Sequence, residues 1–80
     1  MNHWKIKLEN TNNVALFVSI CGQYKFDIDV KSGRYTLDGK SLMGMLSFSP
    51  DRIMEVEIYT DDKILAEKFH KDIELWIVEE

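Results

Sequence analysis

The sequence predicts a two-layer α+β domain, a four-stranded antiparallel sheet covered on one face by three helices. Three observations point there. Four segments alternate apolar with polar residues, so each has a single apolar face. Three others repeat apolar residues at helical spacing. Along the chain the order is strand, helix, strand, strand, helix, strand, helix.

WKIKLE opens the series, with Trp4, Ile6 and Leu8 on one face and Lys5, Lys7 and Glu9 on the other, a strand over 4–9. Thr11, Asn12 and Asn13 are possible caps of the first helix. Its stripe is Val14, Phe17, Val18, Cys21 and Tyr24, widened by Leu16 and Ile20, and Gly22 marks its end. KFDIDV returns to alternation, with Phe26, Ile28 and Val30 facing one way. KSGR is a turn in which Gly33 can take a positive φ, and YTL is the return strand of a hairpin. Ser41–Phe48 predicts a short helix, closed by Ser49 and Pro50. Met54, Val56 and Ile58 alternate with Glu55, Glu57 and Tyr59 as the last strand. Asp61 or Asp62 caps a final helix whose stripe is Leu65, Ala66, Phe69, Ile73, Trp76 and Ile77. Glu67 and Lys71 lie on its exposed face in the favourable i,i+4 order.

Composition bounds the function classes. Eighty residues predict one domain, 1–80, with a small core. Hydrophobic residues at 45% and charged residues at 30% predict a folded chain rather than a disordered one. A net charge of -4 argues against nucleic acid as a partner, because such binding rests on neutralising phosphates. No apolar run approaches the ~20 residues of a membrane span, and MNHWKIKLEN is unlike a signal peptide. The single cysteine, Cys21, excludes an internal disulfide and fits a reducing, cytoplasmic setting.

One stretch is unusual. GKSLMGMLSFSP packs two methionines, two leucines and a phenylalanine between a glycine and a proline. A helix that short cannot turn Leu42, Met43, Met45, Leu46 and Phe48 all inward, because a helix stripe covers part of its circumference. GKSLMGMLSF followed by EVEIYTDD resembles the phosphocarrier protein HPr of the bacterial sugar phosphotransferase system. Lys40, Ser41, Leu42, Met43 and Gly44 match the Lys-Ser-hydrophobic-Met-Gly opening of that family's second helix. The hairpin KFDIDVKSGRYTLDGKS and the helical ALFVS match as well, without gaps from Trp4 to Tyr59 and loosely beyond. The resemblance implies an HPr-like open-faced sandwich, and it implies a carrier or binding protein rather than an enzyme.

The same alignment departs from the family where its phosphoryl acceptor stands. Asn10 falls at the histidine, Asn12 at the arginine and Asn13 at the proline. An amide nitrogen is not nucleophilic at neutral pH, and without the arginine the charge that would hold a phosphate is missing. Ser41 aligns with the serine that a dedicated kinase phosphorylates in regulatory members, whose modified form acts as a carbon-catabolite corepressor. The family also holds a catabolite-repression HPr-like protein that lacks the histidine and keeps the serine, and this sequence is similar to it. Ser41 is equally accounted for as an N-cap. The resemblance implies that Leu42 and Met43, with Leu46 and Lys40, form a docking surface for protein partners of phosphotransferase or catabolite-control type. Methionine suits such a surface because it adapts its shape at low cost.

Other chemistry is sparse. Asp27 and Asp29, and Glu55 and Glu57, form pairs expected on a solvated sheet face with nothing to shift their pKa values. His3, Cys21 and His70 are scattered without ligand spacing, so no metal and no cofactor is expected. Two function classes follow: a regulatory binding module that does not relay phosphate through histidine, or a phosphocarrier with His3 or His70 as an unorthodox acceptor. Neither histidine is flanked by the family's Arg and Pro, which favours the first.

Overall fold

Alternation in the strand segments decides which way the sheet faces. The computed structural model describes residues 2–78; residues 1, 79 and 80 of the predicted 1–80 domain lie outside the described residues. Strands β1 (His3–Ile6), β2 (Asp27–Ser32), β3 (Tyr35–Asp38) and β4 (Met54–Tyr59) alternate with helices α1 (Thr11–Gly22), α2 (Leu42–Leu46) and α3 (Lys63–Ile73). The strands lie in the order β1-β4-β2-β3, and every pairing is antiparallel. Ile28 stands opposite Ile58 and Val30 opposite Val56, so the apolar residues of the two central strands share one face. The three helices cover that face, as the sequence predicts. Phe17 of α1, Met45 of α2 and Phe69 and Ile73 of α3 are buried there with Ile6, Ile28, Val30, Met54, Val56 and Ile58.

Phe69 is the hub of an aromatic seam. Its ring meets Tyr24 edge-on at 5.3 Å, Phe26 at 6.0 Å and Trp4 at 5.8 Å. Such pairs add to the burial of the rings themselves. The Tyr24 hydroxyl donates to Asp72 Oδ2 at 2.5 Å, tying the chain after α1 to α3.

The structure corrects several boundaries. β1 ends at Ile6, not Glu9, although Leu8 is still fully buried. After Ile6 the chain bends towards α1, and Glu9 takes φ 76 while its N–H donates to Pro50 O at 2.7 Å. Left-handed φ is costly for a long side chain, and the alternating pattern carries no trace of it. The helical stripe also runs too far at the C-terminus. α3 stops at Ile73, and a 3₁₀ turn over Glu74–Trp76 follows. Ile77 then leaves the helix and pairs with Ile6, with Lys7 N donating to Trp76 O and Val78 N to Lys5 O. The pairing of the tail with β1 competes with another helical turn and prevails. β2 begins at Asp27 rather than Lys25, and α2 occupies Leu42–Leu46 rather than all of Ser41–Phe48. Leu16 and Leu65, both assigned to buried stripes, are exposed.

Two glycines have a backbone reason. Gly33 has φ 59 in the turn between β2 and β3, as expected. Gly39 donates its N–H to Ile28 O at 2.8 Å, and a Cβ there would lie 2.8 Å from Ile28 Cγ2. The clash falls on a stiff, buried β-branched side chain. Gly39→Ala is therefore expected to lower unfolding free energy by about 1–3 kcal/mol, measured by urea denaturation; an unchanged midpoint would show that Ile28 yields freely.

Candidate functional site

The candidate residues sit at the starts of α1 and α2, two helices that pack against each other. α1 is capped by Asn10, not by Thr11, Asn12 or Asn13. Asn10 is extended, with φ -150, and its Oδ1 accepts the N–H of Asn13 at 2.8 Å. That bond satisfies one of the orphan donors every helix start presents. The Asn13 side chain reaches back, its Nδ2 donating to Leu8 O at 2.7 Å. Together the two amides brace the link that carries the left-handed Glu9. Asn12 is exposed.

Ser41 caps α2 as expected: its Oγ accepts from Gly44 N at 3.2 Å and its carbonyl from Met45 N at 2.9 Å. The turn before it is held by Asp38, whose Oδ1 accepts the N–H of Lys40 at 2.9 Å and whose carbonyl accepts the N–H of Ser41 at 3.0 Å. The five-residue helix buries Met45, and Phe48 is buried just beyond it. The other apolar side chains face out: Leu42 is 43% exposed, Met43 84% and Leu46 45%. Leu16 on α1, expected to widen the buried stripe, is 50% exposed as well. At about 100° per residue it stands across the helix from the buried Val14 and Cys21. Among the described residues no hydrogen bond or ion pair joins Asn10 or Asn12 to Ser41.

The two histidines lie elsewhere. His3 Nδ1 is 3.3 Å from Glu55 Oε2 on the outer sheet face. His70 lies in the last turn of α3, its ring stacked on Trp4 at 5.4 Å. The outer-face carboxylates are not all unperturbed as expected. Lys31 Nζ bonds Glu57 Oε1 at 2.8 Å, which lowers the Glu57 pKa and raises that of Lys31. No group of three His, Cys, Asp or Glu among the described residues could hold a metal ion, and no described helix is long and apolar enough to cross a membrane.

The described features that stand out are two side-chain-capped helix starts and the exposed apolar side chains of α2. Residues 10–75 match the family model described as the PTS HPr component phosphorylation site, and the chain belongs to that family. Its members are phosphocarrier proteins, not catalysts. Among solved structures, the chain is similar to HPr-C-His from Thermoanaerobacter tengcongensis at 27% identity, covering 92% of each chain with a TM-score of 0.71. It is similar to the phosphocarrier HPr of Bacillus anthracis at 19% identity, with 89% of this chain and 94% of that one covered and a TM-score of 0.66. The catabolite-repression protein Crh of Bacillus subtilis matches at 22% identity, with 94% and 88% covered and a TM-score of 0.64. The curated proteins contain no significant sequence match.

Two buried ionisable groups make the site region sensitive to alkali. Burial pushes the Cys21 thiol up to about 12, against a weaker opposing effect of Lys40. Burial and then the Asp72 carboxylate raise Tyr24 as well. A group raised in the folded state contributes stability that is full below its unfolded pKa and is lost as pH rises through the folded one. Thermal midpoints are thus expected to hold to about pH 8.5 and fall above it, with native Cys21 inert to iodoacetamide until the chain unfolds. Rapid alkylation of the folded protein at pH 8 would contradict this.

Proposed function

We propose that this chain is a single HPr-type protein-binding module that carries no phosphoryl group through histidine and docks its partners through α2. The observation that carries the reading is the hydrogen bond from Asn13 N to Asn10 Oδ1. Asn10 stands at the position that the resemblance assigns to the acceptor histidine, and the family match begins at that residue. Its amide serves as a helix cap, with no nucleophile to offer. A positive partner is missing too, since Asn12 stands where the arginine belongs.

The docking surface is Leu42, Met43 and Leu46, extended by Leu16 and edged by Lys40. Its exposure is wider than a short helix needs for packing, and it lies beside the helix start that would carry a regulatory charge. A phosphate on Ser41 would meet free N–H groups of α2 and the Lys40 ammonium, with Asp38 opposing. The partner class is a protein of phosphotransferase or catabolite-control type, as for the HPr and Crh proteins it resembles. We place the protein in the cytoplasm, where such partners act.

Incubated with phosphoenolpyruvate and the general enzyme of the phosphotransferase system, the protein is expected to gain no acid-labile phosphohistidine. Stoichiometric label at His3 or His70 would establish the alternative, a carrier with an unorthodox acceptor. Asn10→His alone is expected to restore little transfer, because Asn12 and Asn13 remain.

Ser41→Ala is expected to cost about 0.5–2 kcal/mol in a thermal melt, and Ser41→Asp close to nothing, since aspartate caps equally well. Ser41→Asp and Leu42→Glu/Met43→Glu should each change the capture of a catabolite-control partner. Equal capture by wild type and both variants would remove α2 from the interface.

A further inference from the structure

The strand order leaves β3 at a free edge of the sheet. Its register with β2 settles which backbone groups are free. Gly39 N donates to Ile28 O, and the same parity in the ladder makes Leu37 with Val30 and Tyr35 with Ser32 the bonded pairs. Thr36 and Asp38 therefore aim their N–H groups away from the sheet, as Thr36 and Arg34 do their carbonyls. The Asp38 carbonyl alone is already engaged, by Ser41 N. An exposed edge of this kind is a template for another strand.

Charge along β3 is polarised. At one end Asp38 lies directly opposite Asp29 in the ladder, and Asp27 lines the same shallow cavity with both. Like charges directly opposite destabilise a sheet, and the Tyr59 hydroxyl bonded to Asp29 at 3.0 Å supplies no positive charge. At the other end Arg34 has no ion-pair partner among the described residues. Lys31, opposite Thr36 in the ladder, is taken by Glu57. On the helix-covered face Tyr35 is 65% exposed, touching Phe48 edge-on at 6.4 Å.

We propose that β3 is the docking edge for a second copy of this chain, paired antiparallel about Thr36. In that register Thr36 of each copy exchanges both backbone bonds with Thr36 of the other. The N–H of each Asp38 reaches the Arg34 carbonyl of the second copy. The Arg34 guanidinium comes beside the acidic end, whose aspartates form no ion pair among the described residues, and Tyr35 covers Leu37 of the second copy. A two-fold axis through the Thr36 pair makes the contact self-complementary. It is a weak, concentration-dependent dimer, because the strand has only four residues.

Sedimentation equilibrium from micromolar to millimolar concentration tests it. Wild type should pass from monomer to dimer, with the Thr36 amide gaining hydrogen-exchange protection only at the high end. Arg34→Asp and Asp38→Arg should each weaken self-association at least tenfold, since each sets like charges together. An equimolar mixture of the two should associate again, since Asp then faces Arg at both ends. Among the described residues Arg34 makes no side-chain hydrogen bond or ion pair, so the Arg34→Asp result stands even if loss of the Asp38 turn bond unfolds the other variant. A chain that stays monomeric to millimolar concentration overturns the proposal. So does a dimer that ignores both reversals, or one that leaves the Thr36 amide unprotected.

Discussion

The antiparallel pairing of Asp27–Ser32 with Met54–Tyr59 is the contact on which the other elements depend. It sets Ile28 and Val30 beside Ile58 and Val56, all buried, and so creates an apolar floor. Each helix is held by what it places on that floor: Phe17 for α1, Met45 for α2, Phe69 and Ile73 for α3. A one-residue slip in this register would turn Asp29 and Lys31 inward and dissolve the core. Because both strands are central, neither can adjust without moving a neighbour on its far side.

The fold was legible because its strands obey a period of two and its helices a period of 3.6. β4 matches its alternating sequence residue for residue, and the Gly33 turn follows from its glycine. What escaped the sequence was decided by contacts distant in the chain. Nothing local in Lys7–Leu8–Glu9 announces a bend, since it is the N–H bond of Glu9 to Pro50 O that closes it. Nothing in Trp76–Ile77–Val78 distinguishes another helical turn from an added strand until Ile6 is beside it. Leu16 is apolar and expected to widen the stripe, yet at about 100° per residue it stands across α1 from the buried Val14 and Cys21, and it is exposed.

The site was legible in a different way. The cap at Ser41 and the excess of apolar residues after it could be read directly, because a five-residue helix has one buried side and five apolar claimants cannot share it. Asn10 was legible as a chemical fact, an amide where the resemblance expects an imidazole, but not as a cap. That role depends on the extended backbone at Asn10, and the extended backbone depends on the turn at Glu9. One strained residue therefore orients the helix start. The side chains of Asn10 and Asn13, which follow it, offset part of the cost through their hydrogen bonds to Asn13 N and Leu8 O.

The C-terminal segment acts on the opposite margin of the sheet from β3. By pairing with Lys5–Lys7 it occupies hydrogen-bonding groups that β1 would otherwise present to solvent. A sheet partly capped on one side and open on the other favours adding a neighbour once. Edge-to-edge growth then ends at two molecules with nothing left to extend, whereas a sheet open on both sides could propagate into a filament. In the dimer proposed through β3, the few residues after α3 would thus oppose further growth from the β1 side.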